Sequence, residues 1–169
     1  PRHGIYTVNT SERGKAKDRK LIPIKNTRTL SSKLKVIPQI LKENGYVTCH
    51  AGKWHLSDDP KTFGFDVNIG GSHAGFPKSY YPPYKNVVVE KGENSYLTDL
   101  ITEKAMLFIQ NSQQPFFLYY SPYAVHLPIN PVKELLPKYT SKIPHNGQGN
   151  AKYATMVENL DRNIGLLLN

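Results

Sequence analysis

Three side chains in this sequence are of types that act on anions. Lys53 and His55 close the stretch GYVTCHAGKWHL at 45–56, and His126 closes PFFLYYSPYAVHLP at 115–128. A buried strand has little use for a lysine and a histidine two residues apart. The end of a strand is different, because ligands of α/β folds gather at the carboxyl ends of the strands. If both strands run parallel, all three side chains fall on one rim. Lysine brings a compact positive charge to an oxyanion, and histidine hydrogen-bonds it or passes a proton. Taken singly, each has a plainer reading, a structural histidine or a solvated lysine. Their shared position makes the chemical reading competitive.

The elements that must position them are legible in outline. Residues 1–32 are polar and basic and read as loop. The segment LKVIPQILKEN at 34–44 suits a short helix with Pro38 near its start. Val36, Ile37, Ile40 and Leu41 share one face of it, and Gly45 follows as a C-cap. Residues 46–51 read as a strand. The stretch 57–96 is rich in Gly, Pro, Tyr and Asn and reads as a long irregular connection, a length that is often functional. Residues 98–111 read as an amphipathic helix with Leu97, Leu100, Ile101, Ala105, Phe108 and Ile109 along one side and Asp99 and Glu103 in its first turns. Residues 115–121 form a continuous apolar run, as in a strand covered on both faces. After a Pro-rich loop, 151–168 reads as a helix with Ala154, Val157, Leu160, Ile164 and Leu168 inward. Helix, strand, helix, strand, helix points to an α/β layered fold with a parallel sheet.

At 169 residues the chain fits one domain with a real core. Its net charge of +9 is uneven. The run 13–35, from Arg13 to Lys35, holds nine Lys/Arg and one Asp, a balance of +8. Such a run is either a solvated loop or a contact for a polyanion. No aromatic residue interleaves it, so it offers bases no stacking platform and nucleic acid is not an expected partner. The single cysteine, Cys49, excludes an internal disulfide and sits in the apolar strand, where it reads as core. No stretch approaches the ~20 apolar residues of a membrane span, and no signal peptide is evident. Both ends read as cut from a longer chain, so 1–169 is expected to be a single segment of a larger domain.

The stretch GYVTCHAGKWH resembles the second signature of the sulfatases: Gly, aromatic, any, Ser/Thr, two of any kind, a small or aliphatic residue, then Gly-Lys-Trp-His. Every position matches. PRHGIYTV resembles the segment after the sulfatase nucleophile motif, and TFGFDVNIGG the family's GFD turn. PFFLYYSPYAVHLP is similar to its strand-to-histidine stretch, and YATMVENLDRNIGLLL to the helix before its last metal-binding strand. Five stretches in the right order cover nearly the whole chain.

The resemblance implies an alkaline-phosphatase-like α/β sandwich, with a largely parallel sheet between helices. It implies sulfuric ester hydrolysis by a formylglycine nucleophile, with Ca2+ holding the sulfate oxygens. By position it implies that Lys53 contacts the sulfate, and that His55 serves the formylglycine hydrate and the covalent intermediate. His126 then stands at the leaving oxygen, while Trp54 reads as packing. On the loop GGSHAGFPKSYYPPY, Ser72 and His73 either reach the sulfate or make only local turn contacts. The expected partner is a sulfated small molecule or glycan, and the expected setting of the parent protein is a bacterial periplasm or the exterior.

The departures from the family pattern set further expectations. No Cys/Ser-x-Pro-x-Arg motif occurs, since Cys49 is followed by His-Ala-Gly, and the tandem aspartates expected near a sulfatase N-terminus are absent. The Asp-Asn/His metal pair and the last active-site lysine would follow residue 169. The segment is therefore expected to hold no metal or formylglycine and to be inactive alone. Ser57 stands where the family often has Gly. A phosphodiesterase or phosphonate ester hydrolase of the same superfamily, and a non-catalytic polyanion-binding module, are the alternative readings.

Overall fold

A computed structural model of the chain describes residues 20, 27, 29–89 and 95–169. Most of the basic run 13–35, and most of the loop expected over 1–32, lie outside the described residues.

Strand β1, Val47–Gly52, is the centre of a three-stranded sheet. It pairs in parallel with β2, Val67–Ile69, and with β3, Phe116–Ser121, in the order β2–β1–β3. Cys49 stands opposite both Val67 and Leu118, and Gly52 stands opposite Ser121. The β-branched and aromatic residues of these strands favour a pleated, half-buried surface. Strand β2 lies within the stretch expected to be irregular. It is three residues long, too short to show a period, and it exists through its ladder to β1.

Successive side chains of β1 face opposite sides of the sheet. Cys49 and Ala51 enter a core shared with Leu97, Leu100, Ile101 and Met156. Those residues come from helix α2, Leu97–Asn111, and from a C-terminal helix spanning Ala151–Leu168. Thr48 and His50 face the other side, where His50 meets Trp54, Phe65 and Tyr119. Helix α1, Ile37–Glu43, is shorter than the expected 34–44. Gln39 Oε1 accepts from the Val36 N–H at its start, and Gly45 takes φ +81° just past its end. Its apolar face is not fully buried: Ile37 is 63% and Ile40 44% exposed. Strand β3 also departs from a doubly covered strand, with Phe116 and Tyr119 exposed. Among the described residues it pairs only with β1 and forms a sheet edge.

A short 3-10 turn, Lys133–Leu135, leads into helix α3, Leu136–Thr140, which packs against α4, the helix at Ala151–Leu168. The bounds of α4 are those expected. Asn150 caps it through its side-chain oxygen, which accepts from the Tyr153 N–H at 3.0 Å. Its inward face is not the apolar stripe: Val157, Ile164 and Leu168 are exposed, while Thr155, Met156, Asn159 and Asn163 are buried. The reason is polar. Asp99 Oδ1 on α2 accepts from Asn159 Nδ2 and Asn163 Nδ2, both at 2.7 Å. Turning the apolar stripe inward would strand these partners.

Candidate functional site

The parallel ladder carries β1 and β3 to the same end of the sheet, where both chains turn. Gly52 takes φ +112° at the last rung, and the Lys53 N–H donates to the Ser121 carbonyl at 2.6 Å. A side chain at position 52 would stand 2.5 Å from the Ser121 carbonyl carbon and nearer still to its oxygen. Glycine is what lets the two turns touch. Below the turn, the fully buried His50 places Nε2 3.2 Å from the Lys53 carbonyl. A carbonyl only accepts, so Nε2 carries the proton. Burial pulls the His50 imidazole down to about 4, and it is neutral at physiological pH.

Trp54 is packing, as expected. Its ring lies edge-on to His50 and Phe65, and its Nε1–H donates to Ser57 Oγ at 2.7 Å. Ser57 is buried and donates onward to the Asp59 carbonyl. The serine found where the resemblance leads one to expect glycine is thus the anchor of Trp54.

His55 sits at φ +63°, a strained value for a non-glycine residue. Its N–H donates to the Ser72 carbonyl at 2.9 Å, which ties the β1 turn to the loop after β2. Its ring lies 6.0 Å from that of His73. Burial holds the His55 imidazole below its ordinary value, and the charges of Lys53 and His73 push the same way. Ser72 Oγ accepts from the Ala74 N–H at 3.1 Å, a local turn contact. His73 is exposed beside His55.

His126 arrives from the β3 side. Its N–H reaches the Tyr123 carbonyl at 3.1 Å and the Tyr80 hydroxyl at 3.2 Å, and its Nδ1 donates to the Leu127 carbonyl at 3.1 Å. Tyr80 is wholly buried and its hydroxyl donates to the Tyr123 carbonyl at 2.8 Å. Tyr96 and Tyr81 hold the carbonyls of Asn130 and Pro131 in the same loop. The many tyrosines of 80–96 therefore staple the segment that presents His126. The His126 ring is exposed and stacks on Phe76, at 5.4 Å between centroids and 5° between planes.

His55, Ser72 and His73 thus meet directly, the Lys53 charge is felt at His55, and His126 joins them through the Gly75–Phe76 segment. Gly75 lies against the His55 ring, and Phe76 against that of His126. Sequence reasoning passed over His50, Gly75 and Phe76. A histidine inside an apolar strand was the one available signal for His50; the other two had none. A cavity of about 890 Å3 beside β2 is lined by Ser72 but not by Lys53, His55 or His126. Cys49 is fully buried, with its thiol pushed up to about 12 by burial, and is core as expected. The rim offers an ammonium and three imidazoles. Calcium takes six to eight oxygen ligands, so these residues do not fit it. Among the described residues, no group of three or more His, Cys, Asp or Glu could hold a metal ion.

Comparison with known proteins gives a consistent assignment. A family model described as Sulfatase matches residues 4–169. The chain is 26% identical to N-acetylgalactosamine-6-sulfatase of Canis lupus familiaris over 99% of its own length and 34% of that protein's. It is 35% identical to N-acetylglucosamine-6-O-sulfatase of Bacteroides thetaiotaomicron over 60% of its length and 18% of that protein's. Its fold is similar to the crystal structure of Ps i-CgsB in complex with k-i-k-neocarrahexaose, with a TM-score of 0.65 and 30% identity, covering 83% of this chain and 37% of that one. The chain spans about a third of the length of the curated relative that it matches end to end.

Proposed function

The chain belongs to the sulfatase family, and from that premise we propose that it forms one side of an active site that hydrolyses sulfate esters. The observation that carries the reading is the convergence of the β1 and β3 turns, with Lys53 and His55 on one and His126 on the other. In this reading the Lys53 ammonium takes a sulfate oxygen. His55, whose imidazole burial and the nearby Lys53 charge hold below its ordinary value, hydrogen-bonds the reacting group. His126, whose Nδ1–H is committed to the Leu127 carbonyl, turns Nε2 to the leaving oxygen and acts as general acid or hydrogen-bond donor in its imidazolium form, in which Nε2 also carries a proton. Ser72 and His73 contact the sulfate or the group that bears it. Ca2+ and a formylglycine belong to the reading as chemistry that the residues on this rim do not supply.

A sulfated sugar is the substrate class we favour. One similar structure is of Ps i-CgsB with k-i-k-neocarrahexaose, and another is of BT4656 with D-glucosamine-2-N,6-O-disulfate at 33% identity and a TM-score of 0.55. No helix among the described residues is long and apolar enough to cross a membrane. A periplasmic or exported setting remains part of the proposal, to be checked by fractionating cells that express the full-length protein.

The deciding experiment assays the full-length protein that carries this segment for sulfate release from an aryl sulfate and from sulfated mono- and oligosaccharides, beside an aryl phosphodiester. Sulfate release that falls by about a hundredfold to ten-thousandfold in His126→Ala is the expected result. Faster turnover of the phosphodiester would instead favour the phosphodiesterase reading.

A further inference from the structure

The two histidines given roles above sit on different turns, yet consecutive residues of a third segment touch both. A Cβ on Gly75 would stand 2.6 Å from His55 Cε1, 2.9 Å from Nδ1 and 3.1 Å from Nε2. The bare glycine backbone therefore lies against the face of the His55 ring, where no other residue has room. The next residue, Phe76, lays its phenyl ring parallel to His126. It is 49% exposed, so core packing does not account for its position. His126 is itself exposed, and among the described residues its ring has, besides this stack, one hydrogen bond, to the peptide that follows it. An exposed ring held by one neighbouring carbonyl is weakly oriented, and an offset aromatic stack supplies the missing constraint.

The segment is well placed to impose that constraint because its backbone is fixed on both sides. The Asn86 amide donates from Nδ2 to the Phe76 carbonyl at 2.9 Å and accepts at Oδ1 from the Lys78 N–H at 2.7 Å. Pro77, between them, is buried. Upstream, the Ser72 carbonyl accepts from the His55 N–H and the Gly70 carbonyl from the Tyr123 hydroxyl at 2.9 Å. One short loop is thus bonded to the β1 turn, to the β3 turn and to Asn86.

We infer that Phe76 is a positioning residue for His126, and that the Gly75–Phe76 pair sets both imidazoles of the rim from a single loop. The inference rests on the sulfatase reading of His126. Phe76 acts through the ring it orients and not by contact with the substrate, so removing it should slow the reaction without weakening binding.

The test uses the full-length protein with a sulfate ester that it turns over. Phe76→Ala should lower kcat by about tenfold to a hundredfold, the scale of a small misplacement of a reacting group, with KM within about twofold. Phe76→Tyr, which keeps the ring plane, should restore most of kcat, and Phe76→Leu, which keeps bulk but no plane, should not. In a His126→Ala background, Phe76→Ala should have no further effect, because the residue it orients is gone. In NMR spectra, the ring-current shift of the His126 protons should vanish in Phe76→Leu and persist in Phe76→Tyr. A raised KM at constant kcat would overturn the inference and make Phe76 a substrate platform. An equal loss of kcat with and without His126 would overturn it as well, while leaving the sulfatase reading intact. Unchanged turnover in His126→Ala alone would sink the role of His126, and the inference with it.

Discussion

Gly52 and Ser121 meet at the last rung of the β1–β3 ladder so closely that no side chain fits between them. The contact matters because Lys53 follows Gly52 directly and donates its own N–H to the Ser121 carbonyl. The cationic rim is built on that junction.

Gly52→Ala should therefore destabilise the protein by at least about 3 kcal/mol, combining a left-handed backbone with a clash against main chain that cannot swing away. Urea unfolding gives the number. A midpoint equal to that of the unsubstituted protein would show that the turn is free to rearrange.

The buried His50 sets a pH dependence. Its imidazole falls from 6.5 to about 4 on folding, so the unfolded chain binds the extra proton between these values. Stability from this group is fully present above about pH 6.5 and is lost as pH falls towards 4, by about 3 kcal/mol. His50→Phe should flatten the stability curve across that window. An identical acid slope in both proteins would mean that His50 charges without cost.

Asp99 joins α2 to α4 by accepting from two buried asparagine amides. Asp99→Ala leaves the Asn159 amide donor unpaired and the Asn163 amide with only its bond to the Asn159 carbonyl, and should cost about 2–3 kcal/mol, with Asp99→Asn milder because it keeps an acceptor. Thermal unfolding of the two variants separates these outcomes. A loss below about 0.5 kcal/mol in Asp99→Ala, the range of an ordinary surface change, would remove this network from the account of how α4 is oriented.

Reversing the charge of Lys15, Lys17 and Lys20 should leave folding within about 0.5 kcal/mol if the basic run is a solvated loop. If the run docks a sulfated polymer, the same changes should weaken heparin binding and flatten its salt dependence. An unaltered salt slope would argue against any polyanion role.

Adding calcium to the 169-residue chain should elicit no sulfatase activity, because the rim offers nitrogen donors where calcium needs oxygens. Metal-dependent hydrolysis that survives repurification and is abolished by His55→Ala would contradict that assignment.

Much of the fold follows from local pattern. The run PFFLYYS, the bounds of α4 and the glycine after α1 are short-range signals, and the strand-end positions of Lys53, His55 and His126 follow once β1 and β3 are taken as parallel. What tertiary structure alone decided is non-local. The apolar stripe of α4 pointed to Val157 and Ile164 as inward, yet Asp99, about sixty residues away, turns Asn159 and Asn163 in instead. Strand β2 is too brief to declare itself and forms only because β1 lies beside it. The stack of Phe76 on His126 joins residues fifty positions apart through a loop held by Asn86. Periodicity reports which residues avoid water, but a buried hydrogen bond or a ring contact depends on the partner across the gap, and the chain supplies that partner only when it is folded.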